Sequence, residues 1–129
     1  RSHDYFRHPP FPRLQLASAG VNLCLGTDSL ATVRKTGKEM PDLNLFEEMR
    51  ALAAADKTVS PVEILRMATV NGAKALGMAG QIGEFSENSF ADLIAVPFAG
   101  KTADICETVV HHASTVSASM IDGQWAIAP

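Results

Sequence analysis

Val21-Asn22-Leu23-Cys24-Leu25-Gly26-Thr27-Asp28-Ser29 is the stretch on which the reading of this chain turns. An apolar, β-favouring run bounded by glycine reads as a strand covered on both faces, and in parallel sheets chemistry collects at the carboxyl ends of the strands. The run therefore delivers one carboxylate, that of Asp28, to the place where a site would form. Asp followed by Ser after a strand is also ordinary turn chemistry and a common opening for the next helix. On these residues alone, the turn is the favoured reading.

Outward from that run, Arg13 to Gly20 reads as a short helix with Gly20 as its stop, so that helix, turn and buried strand form the αβ half of a repeating βα architecture. Before it, Arg1 to Pro12 is a proline-rich loop carrying His3, Tyr5, Phe6, His8 and Phe11, a composition that needs a scaffold to position it. After it, Leu30 to Met40 reads as an exposed loop, and Pro41-Asp42 opens a helix to about Ala55. In that helix Leu45, Phe46, Met49, Leu52 and Ala53 make one apolar face, with Glu47, Glu48 and Arg50 opposite. Ser60-Pro61-Val62-Glu63 is a capping box with proline at the first helical position, and the helix it starts is expected to run unbroken to Leu76, with Gly77 as its stop. Gly72 inside it is expected to allow close packing.

Beyond Gly80 the periodicity changes. Ala91 to Val96 and Thr108 to His112 read as strands, and Val116 to Ala128 as a hairpin turning at Asp122-Gly123. The chain is thus expected to divide into 1–80, helices with one buried strand, and 81–129, a small antiparallel β region. His111-His112 on a strand would point to opposite faces, which disfavours chelation of one ion, and Met40, Met49, Met67, Met78 and Met120 read as core filler. Ser29 has no spaced His and acid around it to make it a nucleophile. Trp125 reads as a partly buried strand residue.

The 129 residues suit one domain, and 47% hydrophobic with 19% charged residues is a globular balance. A net charge of −3 with scattered Lys and Arg offers nothing to a nucleic-acid backbone or an anionic membrane, so the expected partner is a small molecule. Cys24 and Cys106 lack metal-finger spacing and read as buried, reduced thiols. With no signal-peptide core and no apolar run of the ~20 residues that cross a bilayer, the expected compartment is the cytoplasm.

Taken in order, Gly26-Thr27-Asp28-Ser29, Ala68 to Gly77, Ile82-Gly83-Glu84-Phe85 and Ala91 to Val96 form a signature that resembles the C-terminal third of the amidohydrolase superfamily. The similar branch holds the cytosine, guanine and adenosylhomocysteine deaminases and the triazine chlorohydrolases. The opening Arg1 to Phe6 is similar to the loop after barrel strand seven. The resemblance implies an α/β fold: a C-terminal fragment of a (β/α)8 TIM barrel, residues 1–80, plus strands of a small β-sandwich domain, residues 81–129. It implies hydrolysis of a carbon–nitrogen bond, deamination of a nitrogenous ring foremost, with chlorohydrolysis or amide hydrolysis as the enzymic alternatives. It further implies a divalent metal, zinc or else iron. Val21 to Leu25 would be strand eight and Asp28 its aspartate, binding the metal and passing the proton of the reacting water; His3 at the barrel rim would contact substrate.

The sequence departs from that pattern in having no His-x-His pair and only four histidines. A full barrel takes ~250 residues, and catalytic zinc takes three protein ligands where this chain offers one carboxylate. The expectation is therefore a fragment whose remaining ligands lie outside it, inactive alone. A different class of reading is a non-catalytic α/β module that folds by self-association, since a truncated barrel exposes strand edges and apolar faces and favours homo-oligomers.

Overall fold

A computed structural model describes residues 2–33 and 42–129. Its helical part is organised by the capping box: Ser60 Oγ accepts from Glu63 N at 3.3 Å, and Glu63 Oε2 accepts from Ser60 N at 2.9 Å. These reciprocal bonds satisfy donors that a helix start leaves orphaned, and they pull the Glu63 carboxyl below its usual range, the backbone bond from Ser60 being the larger cause. Helix α4 (Pro61–Ala68) follows, burying Ile64 and Met67 one turn apart. Earlier elements are the single turn α1 (Ser2–Tyr5), α2 (Arg13–Ser18) and α3 (Leu45–Ala55); later come α5 (Val70–Ala75) and α6 (Ile105–Val110). Strands β1 (Leu93–Ala95), β2 (Ala118–Ile121) and β3 (Gln124–Ile127) complete the chain.

The helix expected from Asp42 begins instead at Leu45, because Asn44 Oδ1 accepts from Phe46 N at 2.9 Å and makes Asn44 the cap. Its apolar face is as expected, with Met49 in the core and Phe46, Leu52 and Ala53 packed on it. Glu48, expected on the solvent side, is buried.

The expected continuous helix from Pro61 to Leu76 is broken at Thr69, whose φ of −125° and ψ of −97° separate α4 from α5. Two local causes meet there. Thr69 Oγ1 donates back to Leu65 O at 2.7 Å, a bond that bends helices, and Gly83, at φ +79°, lies directly against the Thr69–Val70 peptide. Gly72 has only ordinary space around it among the described residues, whereas Gly83 is pressed against backbone.

The break has a use. Met67 O accepts from Leu25 N at 3.0 Å, Asn71 Nδ2 donates to Leu23 O at 2.8 Å, and Asn22 Nδ2 donates to Asn71 O at 2.9 Å. The run from Val21 is thus extended but fastened to a helix junction, and it pairs with no other strand among the described residues, so the expected buried strand is half a strand environment. Leu23 and Leu25 pack on the core of Met49, Val59, Ile64, Met67 and Val110. Cys24, between them, faces outward and is exposed, and Cys106 is half-buried, so neither thiol is buried as expected.

Thr108 to His112, expected as a strand, lies mostly in α6, which packs against α3 and α4. Its β-branched residues favour strands, but Val110 fills the centre of the core with no exposed surface, and tertiary burial overrides local preference. His111 is exposed, 3.1 Å from Glu107. His112 is buried: its ring meets Phe46 edge-on, its carbonyl accepts from Arg50, and its Nε2 has no partner among the described residues.

The sheet is antiparallel in the order β1-β2-β3, with Leu93 opposite Met120 and Met120 opposite Trp125. Asp122 and Gly123, at φ +48° and +74°, supply the two left-handed residues that a tight hairpin turn demands. Trp125 is about half exposed, 49%. The expected loop from Leu30 to Met40 starts as a short 3-10 turn, Leu30–Thr32; residues 34–41 lie outside the described residues. No helix among the described residues is long and apolar enough to cross a membrane.

Candidate active site

The extended run carries Asp28 beyond its glycine into solvent. Asp28 is exposed, sits at φ +55°, and makes no hydrogen bond or ion pair among the described residues. A left-handed conformation costs a non-glycine residue ~1–2 kcal/mol, although Asp tolerates it better than most. The expense is met by the turn that follows: Ser29 O accepts from Thr32 N at 3.1 Å and from Thr32 Oγ1 at 2.8 Å, while Ser29 Oγ accepts from Ala31 N at 3.2 Å.

Thr32 is buried, and its hydroxyl also lies 2.5 Å from Ser2 Oγ. That bond joins the loop bearing Asp28 to helix α1, which bears His3. The His3 ring points elsewhere: His3 Nε2 meets the Pro9 carbonyl at 2.7 Å, so Nε2 carries the hydrogen and donates, leaving Nδ1 as the remaining acceptor of the neutral ring. The ring also lies beside those of His8 and Phe11. Asp28 and His3 are therefore on adjoining segments, a loop and α1, without touching.

A cavity of about 760 Å³ opens between the N-terminal segment, the extended run and α3, lined by Ser2, His3, Phe11, Cys24, Gly26 and Leu52 among others; Asp28 lies outside that lining. Its floor is stiffened by Arg13, only 8% exposed, whose Nε donates to Asp56 Oδ2 at 2.8 Å and whose other arm donates to Thr58 Oγ1 at 2.8 Å. The Thr58 hydroxyl first, then the Arg13 guanidinium and the Thr58 backbone, hold the Asp56 carboxyl down at about 2.

Among the described residues no three His, Cys, Asp or Glu side chains gather in a way that would hold a metal. Asp28, an exposed carboxylate without a partner among the described residues, has the chemistry of one ligand; catalytic zinc takes three from the protein.

The Amidohydrolase family model matches residues 9–126. The chain belongs to the amidohydrolase family. This amidohydrolase chain is 45% identical over 96 residues to a 5-methylthioadenosine/S-adenosylhomocysteine deaminase of Syntrophobacter fumaroxidans, covering 69% of this chain and 20% of that protein. It is 36% identical over 115 residues to a 5'-deoxyadenosine deaminase of Methanoregula boonei, covering 84% of this chain and 23% of that one. Among solved structures it is similar to an adenosine deaminase from Xanthomonas campestris with bound zinc, at 28% identity and a TM-score of 0.79, covering 98% of this chain and 30% of that one. The amidohydrolase chain thus spans between a fifth and three tenths of the length of these proteins.

Reading the sequence missed Thr32 and gave Asn71 and Gly83 no long-range contact. A threonine three residues after Ser29 is a turn signature that was open to inspection. The roles of Asn71 and Gly83 depend on partners 48 and 14 residues away and left no local signal.

Proposed function

We propose that this chain is the C-terminal part of a metal-dependent hydrolase that deaminates a nitrogenous ring, the exocyclic amine of an adenine-type nucleoside in the first instance. The observation that carries the reading is the family match over residues 9–126 together with deaminase relatives up to 45% identical. The exposed carboxylate at the end of the extended run, without a partner among the described residues, supports it from the side of chemistry.

Hydrolytic deamination adds water at the ring carbon bearing the amine, breaks that carbon–nitrogen bond and releases ammonia. A divalent metal, zinc by precedent of the solved neighbour, supplies the acidity that makes water a nucleophile near neutral pH. Asp28 provides one metal ligand and the base: its carboxylate takes a proton from the attacking water and returns it to the departing nitrogen. His3 Nδ1 is the acceptor available to substrate at the rim. The barrel and the other ligands belong to polypeptide outside this chain, and the sheet of β1 to β3 to a small β domain.

The test is Asp28→Asn in the whole polypeptide that contains these residues, with ammonia release from adenosine-type nucleosides as the assay. A loss of ~100-fold or more is expected for removal of a proton-transfer group; activity near the native level would refute the role of Asp28. The reading of a self-associating module without chemistry draws on exposed Leu76 and Phe85, 71% and 83% accessible. It predicts that this chain alone, loaded with zinc or iron, retains no metal, releases no ammonia and elutes larger than a monomer.

A further inference from the structure

We propose that Thr32 is a positioning residue, the middle member of a hydroxyl relay that sets the Asp28 carboxylate; this rests on the reading of Asp28 given above. Thr32 Oγ1 carries a single hydrogen, and it goes to Ser29 O at 2.8 Å. The contact of 2.5 Å to Ser2 Oγ must then run the other way, with Ser2 donating. The order is Ser2 hydroxyl to Thr32 hydroxyl to the carbonyl of Ser29, the residue that follows Asp28.

That carbonyl fixes how the chain leaves Asp28. Ser29 is extended, at φ −132° and ψ 142°, and its oxygen is held twice by Thr32, through backbone and side chain. A left-handed Asp persists where its surroundings over-determine it, and Asp28 has no side-chain bond of its own among the described residues to do so. The anchoring falls to Thr32, which is 4% exposed in a loop whose other residues, Asp28 to Ala31, are exposed. Burial of one hydroxyl under an exposed loop, with both its donor and its acceptor capacity used, is the arrangement of a supporting group behind a reacting one. Its second anchor, Ser2, is the neighbour of His3, so the relay also ties the rim contact to the carboxylate.

The experiment uses the whole polypeptide with zinc bound. Thr32→Val keeps shape and removes the relay; kcat is expected to fall tenfold or more with KM within threefold, because the loss is of reacting geometry and not of substrate binding. Zinc retained after a fixed chelator challenge is expected to fall in parallel. Thr32→Ser restores the hydroxyl and should return both to within threefold of native. Ser2→Ala, which leaves the bond to Ser29 intact, should lower kcat threefold to tenfold and carries the test if Thr32→Val does not fold. Native kcat and zinc retention in Thr32→Val, or in Ser2→Ala where Thr32→Val does not fold, while Asp28→Asn is inactive, overturns the proposal and leaves the reading of Asp28 standing. Equal impairment of the Val and Ser variants also overturns it. An active Asp28→Asn removes the reading of Asp28 and the relay's role together.

Discussion

Replacing Gly83 by alanine tests whether the helix break is built by contact or merely by local preference. A Cβ at Gly83 would stand 2.8 Å from the Thr69 carbonyl carbon, 2.9 Å from its oxygen and 3.2 Å from Val70 N. All three are backbone atoms, which have no rotamer to escape into. Gly80 is the internal control: its φ of +78° nearly equals the +79° of Gly83, yet a Cβ there meets nothing within 4 Å. Gly80→Ala should therefore cost only the left-handed penalty, ~1–2 kcal/mol. Gly83→Ala should cost that plus a forced backbone shift of ~1–3 kcal/mol, the usual range for overpacking. Equilibrium urea unfolding followed by circular dichroism measures both. Costs that agree within about 0.5 kcal/mol would refute the claim that Gly83 abuts the Thr69–Val70 peptide, and with it the account of why α4 and α5 part.

Two further outcomes follow from side-chain geometry. Asp56 titrates at about 2 against an ordinary 3.8, so its contribution to stability is complete above the ordinary value and is lost as pH falls through the folded one; NMR titration should show Thr58→Val raising it more than Arg13→Gln does, and an unshifted native Asp56 would refute the arrangement. Asn71→Asp sets a carboxylate oxygen against Leu23 O in place of a donor and should destabilise by ~1–3 kcal/mol, whereas an unchanged unfolding midpoint would show that this clamp holds nothing.

What the sequence disclosed was whatever is settled within a few residues. The capping box at Ser60 and the turn at Asp122-Gly123 are decided by side chains and backbone next to one another, and both stand where expected. Thr108 to His112 misled because the pull on Val110 comes from Ile64 and Met67, more than forty positions earlier. The helix expected from Asp42 starts at Leu45 because the Asn44 side chain caps it, a role that Asn and Asp fill about equally well. At the site, the position of Asp28 after an extended apolar run was legible. Its left-handed backbone and the reach of the Ser2 hydroxyl to Thr32 across thirty residues were not.

The run that carries Asp28 is fastened by three hydrogen bonds to a helix junction, together with the packing of Leu23 and Leu25. A strand inside a sheet is released when its neighbours melt; a segment pinned this sparsely has a local opening far below global unfolding. The capped helices α3 and α4 can stay intact while it fluctuates. Amide hydrogen exchange at Leu25 is therefore expected to outrun that at Ile64, which would place the Asp28 carboxylate on the part of the chain that yields first.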